Sequence, residues 1–360
     1  MKILIACGGT GGHIFPGLSL YNALKKKQSQ INILLALDRR TTTSIIVTGD
    51  YPCVYLSLVP LKFKFDLQNA LLGLKLLKGI FQSLLVLLKF RPCVVVGFGG
   101  YASFFLVFFA WIFRIKTVIY EPNVIPGLAN WILAYLTKEI AIGFPPTKEY
   151  FGVNSRKVKF TGNPLRPNLI RIEKVAACGF LGLSADKFTI LVMGGSQGSH
   201  KINMATLLAV SKILDKTNFQ VIHLSGKTDY FFLESGYKDS GIKARVFSFF
   251  EPMEYAYSAS DIVISRAGSA SISEIVFFGL PSILIPYPYV RGHQIENAQY
   301  LCQNNAANMI KDENLNPEIL KTKILELFDN PLLRESMSKS ALKLSRLQAD
   351  ESLADLVLNV

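Results

Sequence analysis

Cysteine is scarce in this chain: five among 360 residues, at 7, 53, 93, 178 and 302, with no C-x-x-C pair. An odd, scattered set excludes a disulfide scaffold and fits reduced, buried thiols in a cytoplasmic protein. Histidine is rarer, with four, and Asp-x-Asp never occurs. Without a His/Cys/carboxylate cluster, no protein-held metal is expected, and no cofactor. Charge is also thin, 18% against 50% hydrophobic, so a sizeable core is available and disorder is excluded as the main state. No secretory signal is expected, because Met1-Lys2 runs straight into the strand-like Ile3–Cys7. A membrane-spanning helix is missing too. Pro92–Phe113 is 22 residues without a charge, yet it reads as strand, glycine turn and a helix only over Ser103–Phe113. At ~1.5 Å per residue that helix reaches about half of a ~30 Å hydrocarbon core.

Acidic residues are short in one half only. Met1–Arg166 carries 20 Lys+Arg against 6 Asp+Glu, or +14, while the remainder stands at −1 and the whole chain at +13. One domain is therefore expected to face a polyanion, either nucleic acid or the anionic lipids of a membrane. Within that half, Leu71–Phe90 sets Lys75, Lys78, Gln82 and Lys89 on one narrow helical stripe among leucines, Ile80 and Phe81. Such a helix lies in an interface rather than crossing it. Nucleic acid is disfavoured, since the basic residues interleave with leucine stripes instead of exposed aromatics and polar loops.

The rhythm along the chain is strand, glycine turn, helix. Apolar runs such as Lys2–Cys7, Ile31–Leu37, Val94–Gly97, Thr117–Tyr120, Thr189–Met193, Gln220–Ser225 and Ile262–Ser265 alternate with helical patterns. Continuous apolar strands mean parallel sheets covered on both faces, hence a doubly wound α/β fold. Two such series predict two Rossmann-like domains facing a cleft, with a linker near Gly162-Asn-Pro-Leu-Arg-Pro167. The expected spans are 1–163, 164–340 and a helical tail, 341–360.

Five places carry chemistry. Gly8-Gly-Thr-Gly-Gly-His13 joins a strand to a helix; its glycines let backbone approach a ligand, and the helix start attracts an anion. The spacing is neither a dinucleotide fingerprint nor a P-loop. A tight structural turn would use the same glycines, but His13 adds an imidazole whose charged form the helix dipole disfavours, a candidate neutral base. Gly194-Gly-Ser-Gln-Gly198 repeats the device, with Ser196 as a hydroxyl donor to phosphate. In Ser265-Arg-Ala-Gly-Ser-Ala-Ser-Ile-Ser-Glu274 the backbone of Ser269, Ala270, Ser271 and Ile272 suits a diphosphate, and Glu274 suits a ribose diol, or simply the helix N-terminus. Gln294 and Asn297 share one helix face, offering amides to a sugar as readily as to solvent. Glu121-Pro-Asn123 and Arg166 stand at strand ends, the carboxyl edge where open α/β sheets bind ligands. His200 and His223 read as packing or surface residues. Together these features describe a nucleotide-diphosphate-sugar site, with a base docking near Phe249, Phe250 and Met253.

GGTGGHIFPGLSL at 8–20, GFGGYAS at 97–103, EPNVIPGLAN at 121–130, TGNPLR at 161–166, MGGSQGSHKIN at 193–203, SRAGSASISEI at 265–275 and GHQIENA at 292–298 resemble the MurG family. These are the bacterial undecaprenyl-diphosphomuramoyl-pentapeptide N-acetylglucosaminyltransferases, and the motifs follow the family's order over nearly the whole chain. The resemblance implies a GT-B fold and an inverting, metal-free transfer of GlcNAc from UDP-GlcNAc to the C4 hydroxyl of lipid I. It implies Thr10, Gly11 and Gly12 against the donor sugar and acceptor diphosphate, and His13 as general base. Asn123 would touch the GlcNAc hydroxyls, Arg166 and Ser196 the diphosphate, and the Phe250 backbone the uracil. Ser269 to Ile272 would cradle phosphate, Glu274 would take the ribose, and Gln294 with Asn297 the sugar. The lipid acceptor would explain the one-sided charge, through a peripheral seat on the anionic cytoplasmic face of the inner membrane, within reach of cell-wall or division proteins. The chain departs from the family at Pro122, where Gln is common, and at His293. Two other classes stay open: a GT-B enzyme acting on a different membrane lipid, and a non-catalytic membrane scaffold.

Overall fold

A computed structural model describes residues 1–8, 11–38, 51–58, 67–167, 169–195, 197–213, 217–289 and 292–360, and for 11 and 67–75 the backbone alone. The chain forms two compact units, Met1–Pro167 with Gln348–Val360, and Asn168–Leu347.

Among the described residues the first unit is built on seven strands: β1 (Lys2–Cys7), β2 (Asn32–Asp38), β3 (Cys53–Leu56), β4 (Val94–Gly97), β5 (Lys116–Glu121), β6 (Glu139–Ile142) and β7 (Val158–Phe160). Their order is β3-β2-β1-β4-β5-β6-β7, and every pair is parallel. The second carries β8 (Phe188–Met193), β9 (Phe219–Leu224), β10 (Lys243–Phe247), β11 (Ile262–Ser265), β12 (Ser282–Leu284) and β13 (Ala307–Met309). That sheet is again all parallel, in the order β10-β9-β8-β11-β12-β13. The sequence dictates this arrangement: Ile3–Cys7 and all of β8 are buried, so neither strand has a wet face that would demand alternating polarity.

Helices cover both faces of the first sheet. On one side lie α1 (Gly11–Lys27) and a helix from the far end of the chain. On the other lie α2 (Leu67–Phe90), α3 (Gly100–Ile112) and α4 (Leu128–Leu133), with α3 between its two neighbours. A short α5 (Thr147–Tyr150) follows β6. The second unit holds α6 (Lys174–Leu181), α7 (His200–Ser211), α8 (Tyr230–Ser240), α9 (Met253–Ser258), α10 (Ser269–Phe278), α11 (His293–Gln303), α12 (Pro317–Asp329) and α13 (Pro331–Leu344). Asn316 and Asn330 cap α12 and α13, each accepting a backbone N–H three residues on, with proline in the first turn. The last helix, α14 (Ala349–Leu358), buries Leu353, Ala354 and Val357 against α1.

Both unit boundaries differ from the expected ones. The segment 161–166 belongs to the first unit, because Ser19 Oγ donates to Leu165 O and the Arg166 guanidinium lies 4.9 Å over the Phe15 ring. The chain therefore leaves after Pro167 rather than at 163. Near the far end, α13 runs unbroken to Leu344 and packs on α10, so the return begins at Gln348, not 341. No described helix is long and apolar enough to cross a membrane. On α2, Leu77, Phe81 and Leu88 are exposed along one stripe, with exposed Lys78 and Lys89 beside it. Gln82, expected on the polar stripe, instead accepts the Ser57 N–H at 2.9 Å and belongs to the packing. The Lys75 side chain lies outside the described residues.

Candidate functional site

In each sheet the strand order reverses once, between β1 and β4 and between β8 and β11. Ligands of open α/β sheets bind outside the carboxyl ends of the strands at that point. The glycine turns after β1, β4, β8 and β11 fall there.

In the first unit the turns after β1 and β4 close on His13, in the first turn of α1. A Cβ on Gly8 would lie 2.6 Å from His13 Nδ1 and 2.9 Å from Gly99 O. Gly99 has φ +90, and its Cβ would come 3.3 Å from His13 Nε2 and 3.7 Å from Asn130 Nδ2. Glycine at 8 and 99 thus makes room for the imidazole. His13 keeps part of its surface exposed, but burial of the ring pulls its pKa down to about 4. Desolvation, rather than the dipole of α1 expected from the sequence, is the cause. The ring is a neutral acceptor at pH 7.

Beside His13 stands a loop organised by one carboxylate. Glu121, at the end of β5, is buried, which raises its pKa against the opposing hydrogen bonds. Its Oε1 accepts Asn123 N–H at 3.0 Å and Asn123 Nδ2 at 3.2 Å; Oε2 accepts Gly127 N–H and Asn130 Nδ2, both at 2.9 Å. Asn130 also donates to Tyr120 O at 2.9 Å. Pro122 takes no donor from this set, so the departure from the family leaves the loop intact. Asn123 is part-exposed, and its carbonyl accepts from Thr147 Oγ1 at 3.0 Å. Arg166 over Phe15 brings a cation to the first turns of α1. Gly12, also in the first turn of α1, faces open space, with nothing within 4 Å of an added Cβ. Gly11 opens the helix. Thr10 and Ser196 lie outside the described residues.

In the second unit the turn after β8 is a backbone-on-backbone contact. A Cβ on Gly198 (φ +75) would sit 2.1 Å from Ser225 O, and one on Gly226 (φ +75) 2.2 Å from Gln197 O. Asn203 of α7 holds the same place, donating to Ser225 O at 2.8 Å and Asp229 Oδ2 at 2.7 Å. Its Oδ1 lies 3.0 Å from His223 Nε2, and His223 Nδ1 is 2.7 Å from Tyr237 Oη. Because Asn203 Oδ1 can only accept, Nε2 carries the proton and Nδ1 accepts from Tyr237. Burial holds His223 down to about 3.

That burial has a pH consequence. A histidine kept neutral in the fold but titrating near 6.5 unfolded gives full stability above pH 6.5. The contribution is lost as pH falls from there towards 3, on the order of 5 kcal/mol at the acid end. Urea midpoints followed by far-UV circular dichroism should therefore drop across that window, and H223Q, less stable at pH 7, should drop less. Parallel pH dependence in both proteins would refute the assignment.

The turn after β11 leads into α10. The first four N–H groups of a helix lack intrahelical acceptors; with Gly268 as the cap these belong to Gly268, Ser269, Ala270 and Ser271. Ile272 departs from the expected cradle: its N–H is spent on Gly268 O at 2.9 Å and its side chain is buried. Glu274, one turn further, is 3% exposed, and Tyr257 Oη donates to its Oε2 at 2.8 Å. Gln294 Oε1 accepts Ala267 N–H at 3.1 Å and Tyr287 N–H at 2.9 Å. Asn297 is fully buried and donates to Ala267 O at 3.1 Å. The two amides do share a helix face, but they clamp both ends of Ala267. Gln294 keeps its NH₂ to offer a hydroxyl, whereas Asn297 sits beneath the turn. The Phe250 ring packs 4.4 Å from Phe247, and Phe250 lines a hollow of about 630 Å³ with Phe180 and Arg245.

Sequence reasoning missed Arg266. Its guanidinium donates to Asp312 Oδ1 at 2.5 Å, Ile285 O at 3.1 Å and Ser199 Oγ at 2.9 Å, and lies 5.5 Å from the Tyr287 ring centroid. It ties the turns after β8, β11 and β12 together. The available signal was an arginine directly after the fully buried β11. Among the described residues no group of three or more His, Cys, Asp or Glu could hold a metal ion.

Comparison with known proteins gives two family matches: the glycosyltransferase family 28 N-terminal domain over residues 3–142 and the glycosyltransferase family 28 C-terminal domain over residues 189–356. The chain is 35% identical over 359 residues to the UDP-N-acetylglucosamine–N-acetylmuramyl-(pentapeptide) pyrophosphoryl-undecaprenol N-acetylglucosamine transferase of Thermodesulfovibrio yellowstonii, covering 99% of this chain and 98% of that one. It is 34% identical to the protein of the same name from Desulforamulus reducens, over 99% and 97% of the two chains. The fold matches the crystal structure of MurG from Acinetobacter baumannii with a TM-score of 0.77 at 22% identity, over 100% of both chains.

Proposed function

The chain belongs to the MurG family of glycosyltransferase family 28, and from that premise we infer that it transfers GlcNAc from UDP-GlcNAc to the C4 hydroxyl of the MurNAc of lipid I. The product is lipid II, for peptidoglycan synthesis, with inversion at the anomeric carbon. The observation that carries this reading is identity spread over the full length of relatives bearing that activity in their names.

In this reaction the acceptor oxygen attacks C1 of GlcNAc, the bond from C1 to the β-phosphate oxygen breaks, and UDP leaves with the electron pair. His13, neutral at pH 7, takes the hydroxyl proton. Asn123 orients sugar hydroxyls. The amides of Ser269, Ala270 and Ser271, with Ser196 and Arg166, stabilise the charge developing on the diphosphate. The Phe250 backbone meets uracil, Glu274 the ribose and the Gln294 NH₂ the sugar. The acceptor's lipid and the excess positive charge of the first unit support a peripheral seat on the cytoplasmic face of the inner membrane, where cell-wall and division proteins would be neighbours. Transfer of radiolabel from UDP-GlcNAc into a lipid I analogue tests the reading. Label entering a different lipid acceptor, with none in lipid I, would overturn it.

The ribose assignment makes a separate prediction. Tyr257 fixes one Glu274 oxygen, so Y257F should raise the KM for UDP-GlcNAc about ten-fold with kcat unchanged, the scale of one hydrogen bond to a charged group. An unchanged KM would detach Tyr257 from donor binding.

A further inference from the structure

The six-residue helix α4 has two unlike faces. Asn130 and Leu133 point inward; Asn130 is bound to Glu121 and lies beside the Gly99–His13 contact. Outward stand Leu128, Trp131, Ile132 and, just past the helix, Tyr135, at i, i+3, i+4 and i+7. They are exposed by 47, 46, 38 and 55%. Large apolar side chains at this spacing, all wet, form a patch that a soluble surface seldom carries. The Trp131 and Tyr135 rings meet edge to face at 5.9 Å, which holds both in place.

The patch does not stand alone. The helices α2, α3 and α4 lie side by side on the same face of the first sheet. Their outer surfaces expose Leu77, Phe81 and Leu88, then Trp111, Ile112 and Phe113, then the α4 row. Basic groups border it. Lys157 Nζ donates to Ala134 O at 3.0 Å at the end of α4, and Arg114, Lys138 and Arg156 are close in sequence to these elements within a unit rich in positive charge. Tryptophan and tyrosine favour the headgroup layer of a bilayer, where an apolar ring and a polar edge are both satisfied, and lysine and arginine favour its anionic surface.

We propose that α4 inserts Leu128, Trp131, Ile132 and Tyr135 into the interfacial layer of an anionic bilayer, as the third helix of a lipid-contacting face. The opposite side of the same helix carries Asn130, so the His13 cluster is held about one helix width, ~10–12 Å, from the lipid. That spacing suits an acceptor whose sugar is joined to its membrane anchor by a diphosphate. The inference rests on the membrane reading above and adds to it the element that seats the site.

The chain contains two tryptophans, 111 and 131, both on this face, so fluorescence reads the two helices separately. W111F leaves Trp131 as reporter and W131F leaves Trp111; each is mixed with vesicles of phosphatidylglycerol and phosphatidylethanolamine carrying brominated chains. The expected result is a blue shift and bromine quenching of Trp131, with loss of its quenching by aqueous iodide. The double variant W131A/Y135A should partition on the order of ten-fold more weakly, from the apolar area lost. It should keep wild-type turnover on a short-chain soluble acceptor, which also verifies folding. Bound protein in which Trp111 is quenched by lipid while Trp131 stays open to iodide would overturn the role of α4 and leave the membrane reading standing. Absence of flotation with these vesicles would overturn both.

Discussion

Replacing His13 by alanine is expected to lower kcat about 10²–10⁴-fold, the usual contribution of a positioned base, while the KM for UDP-GlcNAc stays unchanged. The imidazole fills a space that Gly8 and Gly99 leave open and is tuned by burial to about 4. A base works in its deprotonated form, so kcat/KM, which reports the free enzyme, should hold as pH falls through 6.5 and decline only towards about 4. Once the acceptor diphosphate is bound, its negative charge favours the imidazolium. The acid limb of kcat should therefore lie above that of kcat/KM. Turnover of H13A near wild type would remove the ring as base, and coincident limbs at 6.5 would mean that the ring is solvated.

The second large effect is expected at Glu121. E121Q keeps the shape of the side chain but turns one of its two oxygens into a donor facing two N–H groups. Whichever end is changed, two of the four hydrogen bonds from Asn123, Gly127 and Asn130 are lost in a buried place. We expect a cost of about 2–5 kcal/mol, read from tryptophan emission in urea, since Trp111 and Trp131 both report on the first unit. Asn123 loses its orientation with the loop, so E121Q and N123A should be strongly non-additive in kcat/KM. Wild-type stability in E121Q would show that the carboxylate charge is not what holds the loop.

Much of the scaffold was legible because parallel strands buried on both faces leave continuous apolar runs; β1, β4, β8 and β11 stand where those runs stand. The short edge strands β3 and β13 escaped notice, being three or four residues long with little periodicity to read. Glycine turns announced the ligand edge, because close backbone approach, as at Gly198 and Gly226, has few other chemical solutions. Accessibility was not legible. Asn297 and Ile272 have the right type and spacing, yet depth in the fold decides whether they meet a ligand or hold the turn that does. Glu121 reads in sequence as a strand-end residue at the ligand edge; only its four donors reveal an organising role.

The helix α14 returns to the first unit after the 180 residues of Asn168–Leu347 have intervened. Leu353 and Val357 then cover α1, Glu351 and Asp355 pair with Lys26 and Lys27, and Lys116 reaches Val360 O at 2.6 Å. During synthesis at 5–20 residues per second, the first unit therefore waits roughly 10–40 s with that flank uncovered. Its apolar groove is bare on the ribosome for longer than most small domains take to fold, although this half is made first.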